Sequence, residues 1–218
     1  MRRIMADLHV HTSRSPCASA DMTPAAVAAE AARRGLEMIA VCDHNTAAAV
    51  RDVMRAGADG GPVVIAGMEI TTREEAHVLG LFPSAEAAEA AASELDVDAS
   101  LLSAATPCSL SETVDLVHRH DGLAVAAHVD RPSFSVPSQL GFIPANVPFD
   151  ALEISAAGAA RGRAAAFECL GLPLVSSSDA HFLEDIGTGG TLLDVEAPGF
   201  AELVRALGRH EGRGCVIA

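Results

Sequence analysis

Short apolar runs recur along this chain, and each is flanked by histidine or carboxylate side chains. In chain order these flanking residues are His9 and His11, Asp43 and His44, Glu69, His77, His128, and finally Asp179 and His181. Segments of helical character separate the runs, which is the pattern of buried strands alternating with helices. The chain therefore predicts an α/β fold whose parallel sheet is buried on both faces.

The position of the flanking residues narrows the fold further. In five of the six clusters they lie just past the end of a predicted strand. In a closed barrel of parallel strands the carboxyl ends of the strands share one face, and catalytic side chains gather there. We therefore expect a barrel with a functional site at the C-terminal ends of its strands.

His9 and His11 end the first predicted strand, and residues two apart on a strand point to the same side. Such a pair can clamp a metal ion, although two strand histidines can also be surface residues or satisfied core residues. Six of the nine histidines belong to the series of clusters. The metal interpretation rests on that series rather than on the pair.

Length and charge limit the functions that are open to the chain. Its 218 residues, half of them hydrophobic, suit one domain over residues 1–218. A formal charge of −14 argues against a broad grip on long nucleic acid. A small anionic substrate is compatible with this charge, since bound divalent cations would reverse the local field.

All 15 basic residues are arginine, and the sequence contains no lysine. This absence excludes Schiff-base chemistry, a phosphate-binding loop with its lysine, and a lysine-derived carbamate between two metals.

Five scattered cysteines form neither a disulfide framework nor a zinc-ribbon spacing. The first apolar segment is interrupted at Asp7, too early for a signal-peptide core, and no run approaches a membrane span. We expect a cytoplasmic protein without a membrane segment.

Capping signals help to place the remaining elements. Thr23-Pro24 is a helix start, and Ser109-Leu110-Ser111-Glu112 is a capping box. Helices are predicted over residues 24–34, 46–56, 84–95, 110–120, 161–170 and 198–207, with further strands over 152–154 and 191–195. The irregular stretch 129–148, rich in proline and serine, is a candidate substrate lid.

The motifs, in this order, resemble those of the PHP (polymerase and histidinol phosphatase) family of metal-dependent phosphoesterases. They are His9-x-His11, Asp43-His44, Glu69, His77, His128 and Asp179-x-His181. The resemblance runs from residue 7 to about residue 195, and the chain is similar to the small stand-alone enzymes of the family. It implies a distorted (β/α)7 TIM-like barrel with two or three metals at the C-terminal ends of the strands.

The resemblance also implies roles for individual residues. The first metal would be held by His9, His11, Glu69 and Asp179, the second by Glu69, His77 and His128, and the third by His44 and His181. The family usually supplies one more ligand to the third metal from the loop after His-x-His. This chain departs from the family pattern there and offers Asp21 or Cys17 instead.

The chemistry of these ligands is consistent without the family name. Imidazoles with few carboxylates suit zinc, manganese or iron, and the oxygen-poor set disfavours magnesium or calcium alone. Two cations that share Glu69 could share a water, lower its pKa and aim the bridging hydroxide at phosphorus. The cluster would then neutralise charge on the phosphoryl oxygens, with Glu69, Asp179 and His181 as catalytic ligands.

Two arginines are candidates for holding the phosphate through a planar fork. Arg131 follows His128 by three residues, and Arg14 lies in the first loop. Either could instead be a solvated surface residue. Asp43 is expected to orient a metal ligand rather than to bind metal itself.

Three functions compete at this stage. Hydrolysis of a phosphoester leads, because the two-metal ligand set is complete; the substrate would be a small phosphomonoester, a nucleotide or the end of a short oligonucleotide. An amidohydrolase-like reaction is the second, since those metal barrels also begin with His-x-His after their first strand. A non-catalytic metal-binding regulatory module is the third. The sequence leaves open the substrate, the metal, the third site and the oligomeric state.

Overall fold

The computed structural model describes residues 1–98 and 100–218, and a mixed β-sheet is its central feature. The strands are β1 (Arg2–Val10), β2 (Met38–Val41), β3 (Val63–Thr71), β4 (His77–Phe82), β5 (Leu123–Ala126), β6 (Ala151–Ser155), β7 (Leu174–Ser177), β8 (Thr191–Val195) and β9 (Gly214–Ile217). They are hydrogen-bonded in the order β7-β6-β5-β4-β3-β2-β1-β8-β9. Strands β1 to β7 curve into a nearly closed barrel, and β8 and β9 extend the sheet from β1.

A short bridge joins the two ends of the barrel beside the flanking polar clusters. Val10, the last residue of β1, pairs with Ala180, which lies just beyond β7. The His11 backbone N–H donates to the Ala180 carbonyl at 3.0 Å. The expectation of a barrel-shaped α/β fold is confirmed.

The expectation of a purely parallel sheet is wrong. Strand pairs β1–β2, β2–β3, β5–β6 and β6–β7 are parallel, but β4 is antiparallel to both β3 and β5, and β8 is antiparallel to β1 and β9. Only residues 72–76 separate β3 from β4, and so short a connection permits only an antiparallel pair. The beginning of β4 therefore lies beside the ends of β3 and β5. This explains why His77 opens its strand. His9 and Glu69 lie near the ends of β1 and β3, and the remaining ligands follow the ends of their strands.

Helices cover the outer face of the sheet. They are α1 (Pro24–Arg33), α2 (Val50–Gly57), α3 (Ala85–Glu94), α4 (Leu110–Arg119), α5 (Val136–Leu140), α6 (Ala156–Ala160) and α7 (Phe200–Leu207). The predicted caps are present: Thr23 accepts from Ala26 N–H, and Ser109 and Glu112 form a capping box. Buried side chains of α1 to α4 pack with the sheet in an outer core, while α7 packs on a second core formed by the opposite faces of the strands.

Some predicted elements differ from the structure. Residues 161–170 do not form one helix but two 3₁₀ turns, Arg163–Ala166 and Glu168–Leu170. Gly162, with a positive φ of 69°, prevents a helix from beginning at Arg161, and Gly171, with a φ of 71°, ends the second turn. Helix α2 begins at Val50 rather than Thr46. The sequence also did not predict α5, inside the stretch expected to be irregular, or β9.

An irregularity in β1 shapes the functional end of the barrel. The pairing of β1 with β2 shifts register between Asp7 and Val10. Leu8 packs in the second core and Val10 in the outer core, although residues two apart on a regular strand share a face. A bulge of this kind redirects the side chains that follow it, here His9 and His11.

Candidate metal centre

Glu69, near the end of β3, is the central acid of the site. Five imidazoles lie within 3.5 Å of its two oxygens. Oε1 lies 2.7 Å from His77 Nδ1 and 3.1 Å from His128 Nε2, and Oε2 lies 3.1 Å from His44 Nδ1, 3.4 Å from His11 Nε2 and 3.5 Å from His9 Nε2. The carboxylate thus presents a different oxygen to each of two histidine groups, which is the arrangement that a bridging ligand requires.

His9 is held in place by a second buried acid. Its Nδ1 lies 3.1 and 3.2 Å from the two oxygens of Glu153, and both residues are at most 1% exposed. Since Nδ1 must carry a proton to donate to a carboxylate, Nε2 keeps its lone pair. That lone pair faces Glu69 and Asp179, whose Oδ1 lies 3.2 Å away. A histidine fixed in this way is typical of a metal ligand.

His11 is oriented by a longer relay. Its Nδ1 lies 2.8 Å from Ser15 Oγ, and the Ser15 hydroxyl donates to Asp43 at 2.7 Å. Because the hydroxyl proton is committed to Asp43, Ser15 accepts from Nδ1 of His11, and Nε2 is directed at the carboxylates of Asp179 and Glu69. Thr12 also donates to Asp43 through both its N–H and its hydroxyl. Asp43 therefore acts on His11 through Ser15.

Two of the eight predicted metal ligands have strained backbones. His128 and Asp179 adopt φ of 30° and 53°, in the left-handed region that residues other than glycine rarely occupy. Each follows the end of a strand, β5 and β7, and the turn brings its side chain back over the barrel. Asp179 Oδ1 then lies 3.0 Å from His11 Nε2. Strain of this kind is typical of functional positions.

The ionisation states of the carboxylates and imidazoles in this site favour the binding of a cation. Burial opposes ionisation of Glu69, yet the neighbouring imidazoles, that of His77 foremost, hold the pKa of its carboxyl well below the usual range. Burial also opposes charge on His11, but hydrogen bonds with Asp179 and Glu69 raise the pKa of His11 to about 9. Burial lowers the pKa of His44 to about 4, so this imidazole is neutral at pH 7. Ionised carboxylates and neutral imidazoles are the forms that bind divalent cations, so a bound cation would displace the proton that His11 carries in the metal-free site.

Unpartnered nitrogens test whether a metal fits. The Nδ1 atoms of His44, His77 and His128 are buried and have no hydrogen-bond partner. Two of them lie close to Glu69 oxygens but without the alignment of a hydrogen bond. An unsatisfied buried nitrogen costs about 1–3 kcal/mol, so three in one site need an explanation. Divalent transition-metal ions fit this set of imidazoles and carboxylates.

The donor atoms fall into three overlapping sets, each with all its atoms within 4.8 Å of one another. The sets are His9, His11, Glu69 and Asp179; His44, Glu69 and His77; and His11, His44 and His181. The first has the four residues expected for the first metal. The second contains His44 together with Glu69 and His77. The expected His128 is not in this set, although its Nε2 lies 3.1 Å from Glu69 Oε1. All eight predicted ligands are therefore brought together, and their division among metals remains a prediction.

A cavity of about 270 Å³ opens onto this cluster. Among its lining residues are Glu69, His77, Arg131 and Phe134. Arg131 ion-pairs with Asp179 at the mouth, and its side chain is 39% exposed. Arg14, the second candidate for holding phosphate, is exposed and is not among the lining residues. The geometry favours Arg131.

The sequence did not identify Glu153, Ser15 or Phe134 as parts of the site. Glu153 lies between Leu152 and Ile154 in a buried strand, and a charge at such a position needs a partner. A charged residue within an apolar run is visible in the sequence, so Glu153 could have been identified from it. Phe134 stacks on the His77 ring with centroids 5.0 Å apart, and its carbonyl accepts from His77 N–H at 2.8 Å. This contact seats the 129–148 segment on the site, where it was expected to act as a lid.

The barrel and the ligand cluster together form a candidate metal centre at one end of an α/β barrel. The chain belongs to the PHP domain family, which matches residues 7–139, and a PHP-associated region matches residues 161–211. The predicted family is confirmed. Among curated proteins, none matches the chain significantly.

Solved structures share the fold at low sequence identity. Endonuclease Q of Pyrococcus furiosus, a lesion-specific endonuclease, superposes with a TM-score of 0.78 and 19% identity over 98% of this chain and 58% of its own. A candidate metal-dependent phosphoesterase from Bifidobacterium adolescentis gives 0.61 and 20% over 81% and 87%. An amidohydrolase from Chromobacterium violaceum, with bound sulfate and no metal, gives 0.69 and 18% over 92% and 96%. The chain thus spans little more than half of the endonuclease.

Within residues 1–98 and 100–218, every helix is too short or too polar to span a bilayer.

Proposed function

We propose that this protein, as one domain over residues 1–218, hydrolyses phosphoesters with two or three zinc, manganese or iron ions. The observation that carries the proposal is the position of Glu69, one buried carboxylate within 3.5 Å of five imidazoles. The ions would be held by His9, His11, His44, Glu69, His77, His128, Asp179 and His181. When bound, such cations act as Lewis acids that polarise phosphoryl oxygens and lower the pKa of water.

The chain's own residues prepare the site for this chemistry. Glu153 and the Ser15–Asp43 relay hold His9 and His11 with their Nε2 lone pairs facing inwards. His9 and His11 are fully buried and do not line the cavity, whereas Arg131 does, so a substrate that enters the cavity meets Arg131. Arg131 already binds the carboxylate of Asp179, and its planar fork suits phosphate oxygens equally well.

Charge around the mouth supports an anionic substrate. Arg131 also lines a neighbouring cavity of about 440 Å³ together with Arg161 and Arg163. That cavity also carries three carboxylates, those of Asp130, Asp179 and Asp185, so its charges are balanced. Of its three arginines, Arg131 alone also lines the cavity of the metal centre. The guanidinium of Arg131 beside the proposed cations favours a small phosphomonoester, a nucleotide or an oligonucleotide end over a neutral substrate. The structural neighbour endonuclease Q acts on DNA, so nucleotide substrates belong in the first panel.

The test combines metal content with phosphate release. Protein purified without chelator is assayed for metal by mass spectrometry and for inorganic phosphate released from nucleotides, sugar phosphates and short oligonucleotides. We expect bound transition metal and turnover, with loss of both metal and turnover in Asp179→Ala and His9→Ala. His118→Ala, on α4 and paired with Asp150, is the matched control and should keep both. Full activity in Asp179→Ala would refute the site.

An amidohydrolase-like reaction is the second candidate, because one structural neighbour is described as an amidohydrolase. A chromogenic phosphoester and a chromogenic amide or lactone, tested with the same added metal, separate the two. Turnover of the amide or lactone alone would replace the proposal. Bound metal with no turnover of any substrate would favour the regulatory module.

A further inference from the structure

Phe134 presents an exposed aromatic ring to the cavity of the metal centre. The residue is 46% exposed, whereas Glu69 and His77, which line the same cavity, are buried. Of the lining residues in the described part of the chain, Phe134 is the one large apolar side chain. Aromatic side chains in a ligand cavity contact the apolar parts of the ligand. The ring therefore indicates a ligand that has an apolar part as well as a charged one.

One face of the Phe134 ring is covered by an imidazole. The ring stacks on that of His77, with centroids 5.0 Å apart and an angle of 18° between the two planes. Because this stack covers one face, the exposure of the side chain comes from the opposite face and the rim. Phe134 thus offers a flat apolar surface on which a second planar group can stack.

The backbone on both sides of the ring is fixed. The Phe134 carbonyl accepts from the backbone N–H of His77 at 2.8 Å. The next residue, Ser135, is fully buried, and its hydroxyl donates to the Arg131 carbonyl at 2.8 Å. Phe134 itself adopts a φ of 55°, in the left-handed region, and strain of this kind is typical of functional positions. The ring is therefore held in place before any ligand binds.

The same turn carries Arg131, three residues earlier. The Arg131 N–H donates to the carbonyl of His128 at 2.9 Å, and the Arg131 guanidinium ion-pairs with Asp179. Arg131 and Phe134 line one cavity. This segment thus combines a cation that suits phosphate oxygens with a ring that suits a base, and these are the two ends of a nucleotide.

We propose that Phe134 is a specificity-determining residue whose exposed face stacks on the nucleobase of a nucleotide substrate. The proposal rests on the proposed phosphoester hydrolysis and names the substrate class of that same site. The phosphate would lie at the metal ligands and Arg131, and the base would lie on Phe134. Since every base has a flat π-face, stacking alone gives little preference among the bases.

One ring suits one base rather than a long strand. Only 3% of the residues are aromatic, and the chain contains neither tryptophan nor tyrosine. Proteins that hold long single strands stack successive bases along a positively charged groove, whereas this chain has a net charge of −14. We therefore expect a mononucleotide or the terminal nucleotide of an oligonucleotide.

The test compares two substrates with the same phosphoester on the same sugar. Adenosine 5′-monophosphate carries a base, and ribose 5-phosphate does not. The metal-loaded wild type should hydrolyse the nucleotide with a kcat/KM about 5- to 150-fold higher, which is the range that stacking on one aromatic side chain contributes. Where neither compound is turned over, the dissociation constants of the same pair, measured by calorimetry, give the ratio.

Variants of Phe134 should change this ratio. Phe134→Leu should bring the two substrates close to equality, because leucine keeps apolar volume but has no flat face. Phe134→Trp should keep the preference or increase it, since indole is a larger stacking surface. Phe142→Leu, at another exposed phenylalanine of the 129–148 segment that does not line the cavity, is the matched control and should keep the wild-type ratio.

The possible failures are distinguishable. Equal values for the two substrates in the wild type overturn the role of Phe134 and leave phosphoester hydrolysis standing. A Phe134→Leu variant that loses both activities by the same factor does so too, because the loss would then come from the contact with His77. A wild type that binds no metal and releases phosphate from no phosphoester overturns both proposals. Circular dichroism and metal content confirm that each variant is folded and loaded before the ratios are compared.

Discussion

Glu153 binds both the side chain of His9 and the backbone of His128. One of its oxygens lies 3.1 Å from His9 Nδ1 and also accepts from the backbone N–H of His128 at 3.0 Å. A single buried acid in β6 therefore positions one residue near the end of β1 and one that follows β5. It connects two of the proposed metal ligands without being a ligand itself.

Glu153→Gln tests this connection. An amide can offer an N–H to Nδ1, which would allow the other tautomer of His9 and turn its lone pair away from the site. Loss of such an orienting partner typically costs about 10- to 100-fold in metal affinity. Titration of metal-free protein with zinc should show this decrease, and Asp150→Asn, another acid that pairs with a histidine, should not. Unchanged zinc affinity in Glu153→Gln would contradict the role.

Arg131→Lys tests the grip on phosphate. Lysine keeps the charge but lacks the planar fork that binds two oxygens at once. Hydrogen bonds to charged groups contribute about 1.5–3 kcal/mol, so kcat/KM should fall about 10- to 100-fold. A rise in KM alone would show that Arg131 binds substrate and transition state equally. Arg33→Lys, in an exposed ion pair with Glu30, is the control. Equal kcat/KM in Arg131→Lys and wild type would exclude Arg131 from substrate binding.

The sequence was sufficient to predict residues whose role depends on local pattern. His9-x-His11 lies at the end of the first apolar run, and Asp179-x-His181 follows another apolar run directly. Helix starts at Thr23 and Ser109 follow from side-chain capping, which involves only the next few residues. All of these signals are contained in a few consecutive positions.

The sequence was insufficient where distant segments decide the structure. Glu153 and His9 are 144 positions apart, and no pattern in either segment specifies their contact. The direction of β4 was also missed, because an apolar run does not show which way a strand points. The predicted helix over 161–170 failed because two glycines took positive φ, a choice that tertiary packing makes.

Gly158, in α6, is placed where a side chain would collide with the loop beside the site. An ideal Cβ at this position would lie 1.9 Å from Asp130 Oδ2. That carboxylate cannot move freely, since it accepts from both the N–H and the hydroxyl of Ser155 at 2.8 Å. Helix propensity alone predicts that Gly158→Ala stabilises by about 1 kcal/mol, but overpacking costs about 1–3 kcal/mol.

We therefore expect Gly158→Ala to lower the free energy of unfolding, measured by urea denaturation. Because Asp130 precedes Arg131, kcat/KM should fall as well. Gly214→Ala, where nothing lies within 4 Å of the added Cβ, is the control and should change neither quantity. A stabilised Gly158→Ala variant would show that the Asp130 loop shifts to accommodate the added methyl group at little cost.

Glu202, at the first turn of α7, predicts how stability depends on acid. It accepts from Glu196 N–H and from the guanidiniums of Arg205 and Arg213, which join β8, α7 and the start of β9. The Glu196 N–H and then the two arginines lower the pKa of Glu202 to about 2. Because the pKa is lower in the folded state than in the unfolded chain, near 4.3, ionised Glu202 stabilises the fold above about pH 4.3. This contribution is lost as the pH falls from there towards about 2.

Glu202→Gln should therefore be less stable than the wild type at pH 7, and the difference should shrink below about pH 4.3, where the Glu202 carboxylate of the unfolded wild-type chain takes up its proton. Urea midpoints of metal-free protein, measured at intervals from pH 7 to pH 3, give the difference directly. Metal-free protein is used because loss of metal in acid would otherwise add to the effect. Glu168→Gln, at an exposed position in a 3₁₀ turn, controls for the removal of one negative charge. A difference that stays constant over the whole range would mean that the amide loses packing or geometry rather than charge, and that the arginines do not hold Glu202 ionised.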